Sequence, residues 1–202
     1  MNITNIPATA IVAMLSLLMT VVSGSAQTSP YQPYQSYLPQ GIAFQATTAL
    51  FQSKMPKAIA IPQTAARPTE QDFIDPVMRP KPVETVVYKF LDGKLIAINF
   101  EGTLPNGTTA AAALTQLRSV VLSGFTKLRD DTLQILNDWR KESATVEVFE
   151  KSGTQESAFL VSVGNAVRVI VFDRSKAQQS DFFPDVSAMT EAELQKFRPG
   201  NP

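Results

Sequence analysis

Apolar and polar residues alternate along the segment from Thr85 to Phe100, which predicts a β-hairpin. The segment is rich in β-branched and aromatic residues and turns at Asp92-Gly93. A two-residue turn pairs Phe90 with Leu95 and mixes apolar residues across both faces, whereas a three-residue loop pairs Phe90 with Lys94. Because a one-residue slip moves every side chain of a strand to the other face, the register with the cleaner face is favoured. That register is the three-residue loop, and it gathers on one face Val86, Tyr88, Phe90, Ile96, Ile98 and Phe100.

A helical periodicity follows the hairpin and predicts two helices. Apolar positions that step by three or four residues mark the inner side of the first helix. They are Leu114, Leu117, Val121, Phe125 and Leu128. Gly124 terminates or bends this helix. A second, short helix is expected to begin at Asp130 or Asp131, where carboxylates suit the positive end of the helix dipole. Its inner side carries Leu133, Leu136 and Trp139.

Three further segments have the pattern of strands. They cover residues 144–151, 157–163 and 166–173, and Gly164-Asn165 is a two-residue hairpin signal between the last two. The predicted order of elements is therefore β-β-α-α-β-β-β. A small antiparallel sheet of about five strands with helices on one face is the natural packing of that order. The sequence thus predicts an α+β fold.

The N-terminus carries a 13-residue apolar run from Ala10 to Val22. Its length fits the hydrophobic region of a signal peptide and is short for a helix that spans a bilayer. Small residues at Gly24 and Ala26 predict cleavage after Ala26. We therefore expect an extracytoplasmic protein, either periplasmic or secreted. The alternative is an uncleaved N-terminal segment that anchors the chain, and this is the only membrane contact expected.

Residues 27–82 hold nine of the fourteen prolines, a density that breaks helices and central strands. This composition predicts a flexible, disordered linker rich in Pro, Gln and Tyr. Tyr31, Tyr34 and Tyr37 recur every three residues, which is the period of a polyproline II helix. Such an aromatic stripe is a candidate binding site for a polysaccharide or a proline-reading domain. A low-complexity spacer explains the same pattern and is favoured.

The chain therefore divides into four predicted regions. They are a signal peptide (1–26), a flexible linker (27–82), an α+β globular domain (83–175) and a polar tail (176–202). Thr190 and Glu193 form a capping-box pattern, which predicts a short helix at the end of the tail. Phe182, Phe183 and Met189 are expected to pack the tail against the globular domain.

Charge and residue types limit the chemistry that the chain can perform. Lys+Arg and Asp+Glu number 18 each, so no net charge favours nucleic acid as a partner. Cysteine and histidine are absent, which excludes disulfides, thiolate or imidazole metal sites and Ser-His triads. Catalytic motifs are also absent, so no catalytic, cofactor-binding or metal-binding residue is predicted. Arg168 interrupts an apolar strand and is either a partner contact or a solvent-facing residue.

These observations favour an exported accessory or binding module of the cell envelope. It would lack catalytic activity and act through contacts with an envelope protein or a polysaccharide. The first alternative is an exported hydrolase that uses carboxylates, two of which must converge within about 5–10 Å. Its candidate residues are Glu101, Asp130, Asp131 and Glu147. The second alternative is a structural protein that self-associates without any other ligand.

Overall fold

The computed structural model describes residues 31–62, 69–79, 81–105, 109–137 and 140–177. These residues form one eight-stranded antiparallel sheet with a few short helices, and they belong to a compact unit that begins at Tyr31. The predicted signal peptide lies outside the described residues, as do the predicted terminal helix and the three apolar residues of the tail.

The described part of the chain contains the following elements. The strands are β1 (Ile59–Ala60), β2 (Glu70–Ile74), β3 (Thr85–Leu91), β4 (Lys94–Thr103), β5 (Thr126–Asn137), β6 (Arg140–Glu150), β7 (Glu156–Val163) and β8 (Ala166–Asp173). The helices are α1 (Thr48–Lys54), α2 (Thr109–Gln116), α3 (Arg174–Ala177), a 3-10 helix (Tyr34–Tyr37) and a π-helical turn that continues α2 (Leu117–Val121). Across the sheet the order is β1-β2-β3-β4-β8-β7-β6-β5, so β1 and β5 are its edges.

The expected α+β fold with a smaller sheet and a disordered linker is wrong, because the chain is mostly β. Strands β1 and β2 come from the Pro-rich segment before residue 83. The prolines of that segment lie beside these strands and not in them: Pro62 follows β1 and Pro76 follows β2. Proline disrupts a sheet only where its missing N–H is needed for the ladder. Short strands therefore fit between the prolines.

Strand β5 stands where the second helix was expected, and that expectation is also wrong. Residues 129–137 pair one by one with β6. The apolar positions of this stretch suit a helix or a strand, and the ladder with β6 decides between them because long-range pairing overrides a weak local preference. The first predicted helix is confirmed as α2 with its π-helical turn, which ends before Gly124. Its predicted continuation to Leu128 is wrong, because Leu128 lies exposed in β5. The predicted turn at Gly164-Asn165 is confirmed as well.

The β3–β4 hairpin turns through two residues, so the favoured three-residue loop is wrong. Asp92 and Gly93 have positive φ angles of 50° and 70°, as a type I′ turn requires. Phe90 consequently pairs with Leu95. A β-bulge then leaves Ile96 without a cross-strand partner in this pair of strands and shifts the register by one residue. The bulge thus brings five of the six predicted residues to one face together with Leu95, whereas the prediction for Ile96 is wrong because it lies in an apolar cluster of the opposite face.

The first face of the sheet is covered by the N-terminal part of the described chain and by the end of α2. Its core includes Val86, Tyr88, Phe90, Ile98, Phe100, Leu160 and Val169. The fully buried ring of Phe51, in α1, has its centroid 4.8 Å from that of Tyr88. Leu117 and Val121 of the π-helical turn are fully buried in the same core. Each such side chain contributes about 2 kcal/mol on burial, so α1 and the segment around it stabilise the fold.

Candidate binding surfaces

The structure places the three predicted partner-binding tyrosines against the first face of the sheet. Tyr31 and Tyr34 are buried, and the ring of Tyr37 lies edge-on to that of Phe100 with centroids 5.0 Å apart. The 3-10 helix that contains two of them has three residues per turn. The three-residue spacing that suggests polyproline II therefore matches the period of a packed 3-10 helix here. A binding role for the stripe stays a prediction.

Tyr34 ties this 3-10 helix to β7. Its hydroxyl donates a hydrogen bond to Oε2 of Glu156, which also accepts one from Nζ of Lys151 at 2.7 Å. Burial, together with the hydrogen bond to Glu156, raises the pKa of Tyr34 above its ordinary value. The hydroxyl therefore remains protonated and acts as a donor, which indicates a structural role.

A cluster of charged side chains joins the π-helical turn to β5 and β6. Glu147 is buried and accepts hydrogen bonds from Nε of Arg118 at 2.8 Å and from its Nη2 at 2.5 Å. Nζ of Lys127 lies 3.2 Å from the Glu147 carboxylate and 2.7 Å from that of Asp130. Burial alone would raise the pKa of Glu147, but the hydrogen bonds from Arg118 and Lys127 outweigh burial and lower it. Glu147 is therefore held in its ionised form.

Only two of the four candidate hydrolase carboxylates are brought together. Glu147 and Asp130 are cross-strand partners. Glu101 and Asp131 fall on the opposite face by strand alternation, and each pairs with an arginine. An ionised Glu147 cannot supply the proton that glycosidic cleavage requires. In the described parts of the chain, no group of three His, Cys, Asp or Glu residues could hold a metal ion.

The second face of the sheet is apolar across β8, β7 and β6. One buried cluster consists of Leu91, Ile96, Ala97, Ile170 and Phe172, and another of Ala144, Val146, Val148, Val161 and Val163. Phe159 packs against both clusters. Arg168, the fourth predicted partner contact, lies on this face by strand alternation and is half-exposed, with Nε 3.0 Å from Glu101. Its proposed contact with a partner stays a prediction.

In the described part of the sheet, three buried polar atoms on the second face lack a hydrogen-bond partner. They are Asp72 Oδ1, Asn99 Oδ1 and Ser157 Oγ. Their sequence neighbours Phe73, Ile98 and Ala158 belong to the core of the first face, so strand alternation directs these three side chains to the second face. Buried polar groups are normally paired. The second face therefore offers hydrogen-bonding capacity that the described residues do not use.

Strand β5 provides a long outer edge. It is 12 residues long and pairs with β6 on one side only within the described sheet, whereas β1 at the opposite edge has two residues. The first half of β5 contains a bulge at Leu128, which is exposed. That half is also charged, with Lys127, Arg129, Asp130 and Asp131. The second half, from Thr132 to Asn137, has no charged residue.

The β5–β6 hairpin projects past β7. Strand β6 pairs with β7 only from Thr145 onward, yet it pairs with β5 back to Arg140. Residues 133–137 and 140–144 therefore form a two-stranded ribbon, here called the arm. At 3.4 Å per residue the arm is about 17 Å long. The sequence interpretation missed it because residues 133–137 also fit a helix; the absence of charged residues from Thr132 to Asn137 was the available signal.

No protein-family model matches this chain, and no curated protein or solved structure shows significant similarity to it. Among the described residues, no helix is both long and apolar enough to cross a membrane.

Proposed function

We propose that the protein is an exported accessory or binding module of the cell envelope, without catalytic activity, that acts by adding a partner strand to β5. The carrying observation is the outer edge of β5, which is 12 residues long and pairs on one side only in the described sheet. Such an edge presents a row of backbone donors and acceptors that an extended segment can complete. The signal-peptide pattern at residues 10–26 supports the extracytoplasmic location.

The second half of β5 is the favoured contact. Its first half carries the bulge and the charged residues, both of which discourage strand addition. The stretch from Thr132 to Asn137 lacks both features and includes the β5 side of the arm. A two-stranded ribbon is only marginally stable in water. A third strand added along β5 would form hydrogen bonds with the outer backbone groups of the arm, which lack a paired strand in the described sheet.

The expected partner is a protein segment in an extended conformation. Main-chain hydrogen bonds along β5 would provide affinity, and alternate side chains of the segment would provide specificity. A polysaccharide has no regular series of amide groups to match this edge. Loss of binding on disruption of the edge therefore distinguishes the two partners.

A proline scan of β5 tests the proposal. Successive N–H groups of a strand point to opposite sides, so of Thr132→Pro and Leu133→Pro, both within the favoured contact, one removes a bond to β6 and the other removes an outward N–H. The variant that loses the bond to β6 should have a lower melting temperature. The variant that loses the outward N–H should keep its melting temperature but fail to capture the partner from crosslinked envelope extract of the native cells. Ser152→Ala, at the exposed β6–β7 turn, is the control that should retain capture.

Two results would overturn the proposal. One is the absence of any stoichiometric protein partner under both gentle and crosslinked conditions. The other is undiminished capture by the proline variant that preserves the melting temperature.

A further inference from the structure

The start of β5 fits two registers against β6, and the structure contains the less regular one. Lys127 pairs with Phe149 and Arg129 pairs with Val148, so Leu128 has no cross-strand partner in this pair of strands. A regular ladder would instead place Leu128 opposite Phe149, an apolar pair of the kind that stabilises a sheet. In the bulge, Leu128 is 51% exposed. Apolar pairing therefore does not explain why the bulge forms.

The position of Lys127 provides the explanation. Phe149 belongs to the core of the first face, so its partner Lys127 lies on that face by strand alternation, as does Glu147. Nζ of Lys127 is 3.2 Å from Oε2 of Glu147 and 2.7 Å from Oδ1 of Asp130. A regular ladder would pair Lys127 with Glu150 and turn its side chain to the second face, away from both carboxylates. The bulge thus brings a cation to the carboxylates at the expense of the apolar pair.

Glu147 is the buried member of this charged cluster. Its side chain is 9% exposed, against 41% for Lys127 and 60% for Asp130. Nε and Nη2 of Arg118, in the π-helical turn, donate hydrogen bonds that hold the Glu147 carboxylate in place. A buried carboxylate is costly unless cations compensate it. A fixed Glu147 therefore draws Lys127 to the first face and keeps Leu128 out of the ladder.

We propose that Glu147 fixes the register at the start of β5 and thereby sets the point at which a partner strand must stop. It acts through Lys127 as a positioning residue, because the bulge at Leu128 is what brings Lys127 to the first face. A bulge bends its strand and interrupts the row of backbone groups along the edge. The regular edge then comprises the nine residues 129–137. The consequence for a partner rests on the strand addition proposed above: the partner contributes an extended segment that pairs with these residues and ends at the bulge.

Cross-strand proton contacts in Glu147→Gln test the register directly. In the wild type, nuclear Overhauser effects should connect the backbone protons of Lys127 and Phe149, which are paired. Loss of the carboxylate charge should shift the pairing by one residue and replace this contact with one between Leu128 and Phe149. Lys127→Thr should give the same shift, because it removes the cation and leaves Arg118 hydrogen-bonded to Glu147.

Glu101→Gln is the matched control, because it removes a carboxylate from an ion pair with Arg168 that does not involve β5. It should retain the contact between Lys127 and Phe149, and so should Glu147→Asp, which keeps the negative charge. An unchanged contact in folded Glu147→Gln would overturn the proposal, and Lys127→Thr decides in the same way if Glu147→Gln does not fold. The same shift in Glu147→Asp would overturn it as well, because charge would then not determine the register.

The length of the usable edge is tested in the crosslinked complex with the envelope protein captured by the wild type. Hydrogen exchange should slow at outward amides within residues 129–137 and stay unchanged at Thr126 and Lys127. Slower exchange at either of these two would show that a partner strand passes the bulge, and would overturn the stop. Failure to capture any protein is a different result, because it overturns strand addition itself and leaves the register of β5 to the proton contacts.

Discussion

The hydroxyl of Tyr34 lies 2.5 Å from Oε2 of Glu156 and donates a hydrogen bond to it, although 122 residues separate the two in the chain. Nζ of Lys151 lies 5.4 Å from the centroid of the Tyr34 ring and bonds the same carboxylate. The N-terminal part of the described chain is thus held to β7 by a charge-assisted hydrogen bond in addition to apolar packing. This contact makes the segment around Tyr34 an integral part of the fold.

Tyr34→Phe should destabilise the protein by about 2 kcal/mol, because it removes a hydrogen bond to a charged group while keeping the buried ring. Urea denaturation followed by circular dichroism would measure the change. Tyr37→Phe is the control, since the hydroxyl of Tyr37 only accepts an exposed 3.4 Å hydrogen bond from the N–H of Gln32. Equal losses of stability in the two variants would contradict the role given to Tyr34.

Arg118→Met should cost roughly 2 kcal/mol of unfolding free energy, because it removes the two hydrogen bonds that compensate the buried carboxylate of Glu147. Arg168→Met is the matched control: its ion pair with Glu101 is more exposed and should be worth less than about 0.5 kcal/mol. Denaturation of both variants at neutral pH would show the difference. Similar values would mean that the Arg118 pair is no stronger than a surface ion pair.

The stability provided by Glu147 should depend on pH in a defined direction. Its pKa is lower in the folded protein than the ordinary value of about 4.3 in the unfolded chain. The contribution is therefore complete above the unfolded pKa and is lost as the pH falls through the folded one. The difference in unfolding free energy between the wild type and Glu147→Gln should stay constant down to about pH 5 and shrink in more acidic solution. A difference that grew on acidification would contradict this assignment.

Gly102→Ala should destabilise the protein by more than about 3 kcal/mol, because overpacking against backbone cannot be relieved by a side-chain rotation. A Cβ atom at residue 102 would lie 1.8 Å from the carbonyl oxygen of Pro82. At Gly153, whose φ is +74°, an added Cβ meets nothing within 4 Å. Gly153→Ala is therefore the control and should cost only about 1 kcal/mol of backbone strain. Thermal unfolding of both variants would distinguish the steric collision at residue 102 from the backbone strain at residue 153.

Local patterns were sufficient for the elements whose partners are close in sequence. The hairpin around Asp92-Gly93, the turn at Gly164-Asn165 and the helix that starts at Thr109 all follow from turn chemistry or helical periodicity. Even there, the bulge at Ile96 could not be predicted, because it shifts the pairing of β3 and β4 by one residue after a two-residue turn. The sequence therefore predicted where these elements lie better than how they pair.

Elements that depend on distant partners were not predictable in this way. The repeat of Tyr31, Tyr34 and Tyr37 fits polyproline II and a 3-10 helix equally, and only packing against the sheet, as of Tyr37 on Phe100, selects the helix. Strand β5 has a similar ambiguity, which its ladder with β6 resolves. The candidate edge and the arm were missed because the residues of β5 also fit a helix. The second face was missed because its apolar clusters combine residues from several strands.

The two edges of the sheet differ in length, twelve residues in β5 against two in β1. A filament that grows by edge-to-edge addition needs two competent ends on every subunit. In the described sheet, a subunit with its β5 edge occupied presents a short opposite edge, which consists of the two-residue β1 and the start of β2 beyond it. Strand addition at β5, as proposed above, would therefore favour one partner strand or one second copy over a growing filament.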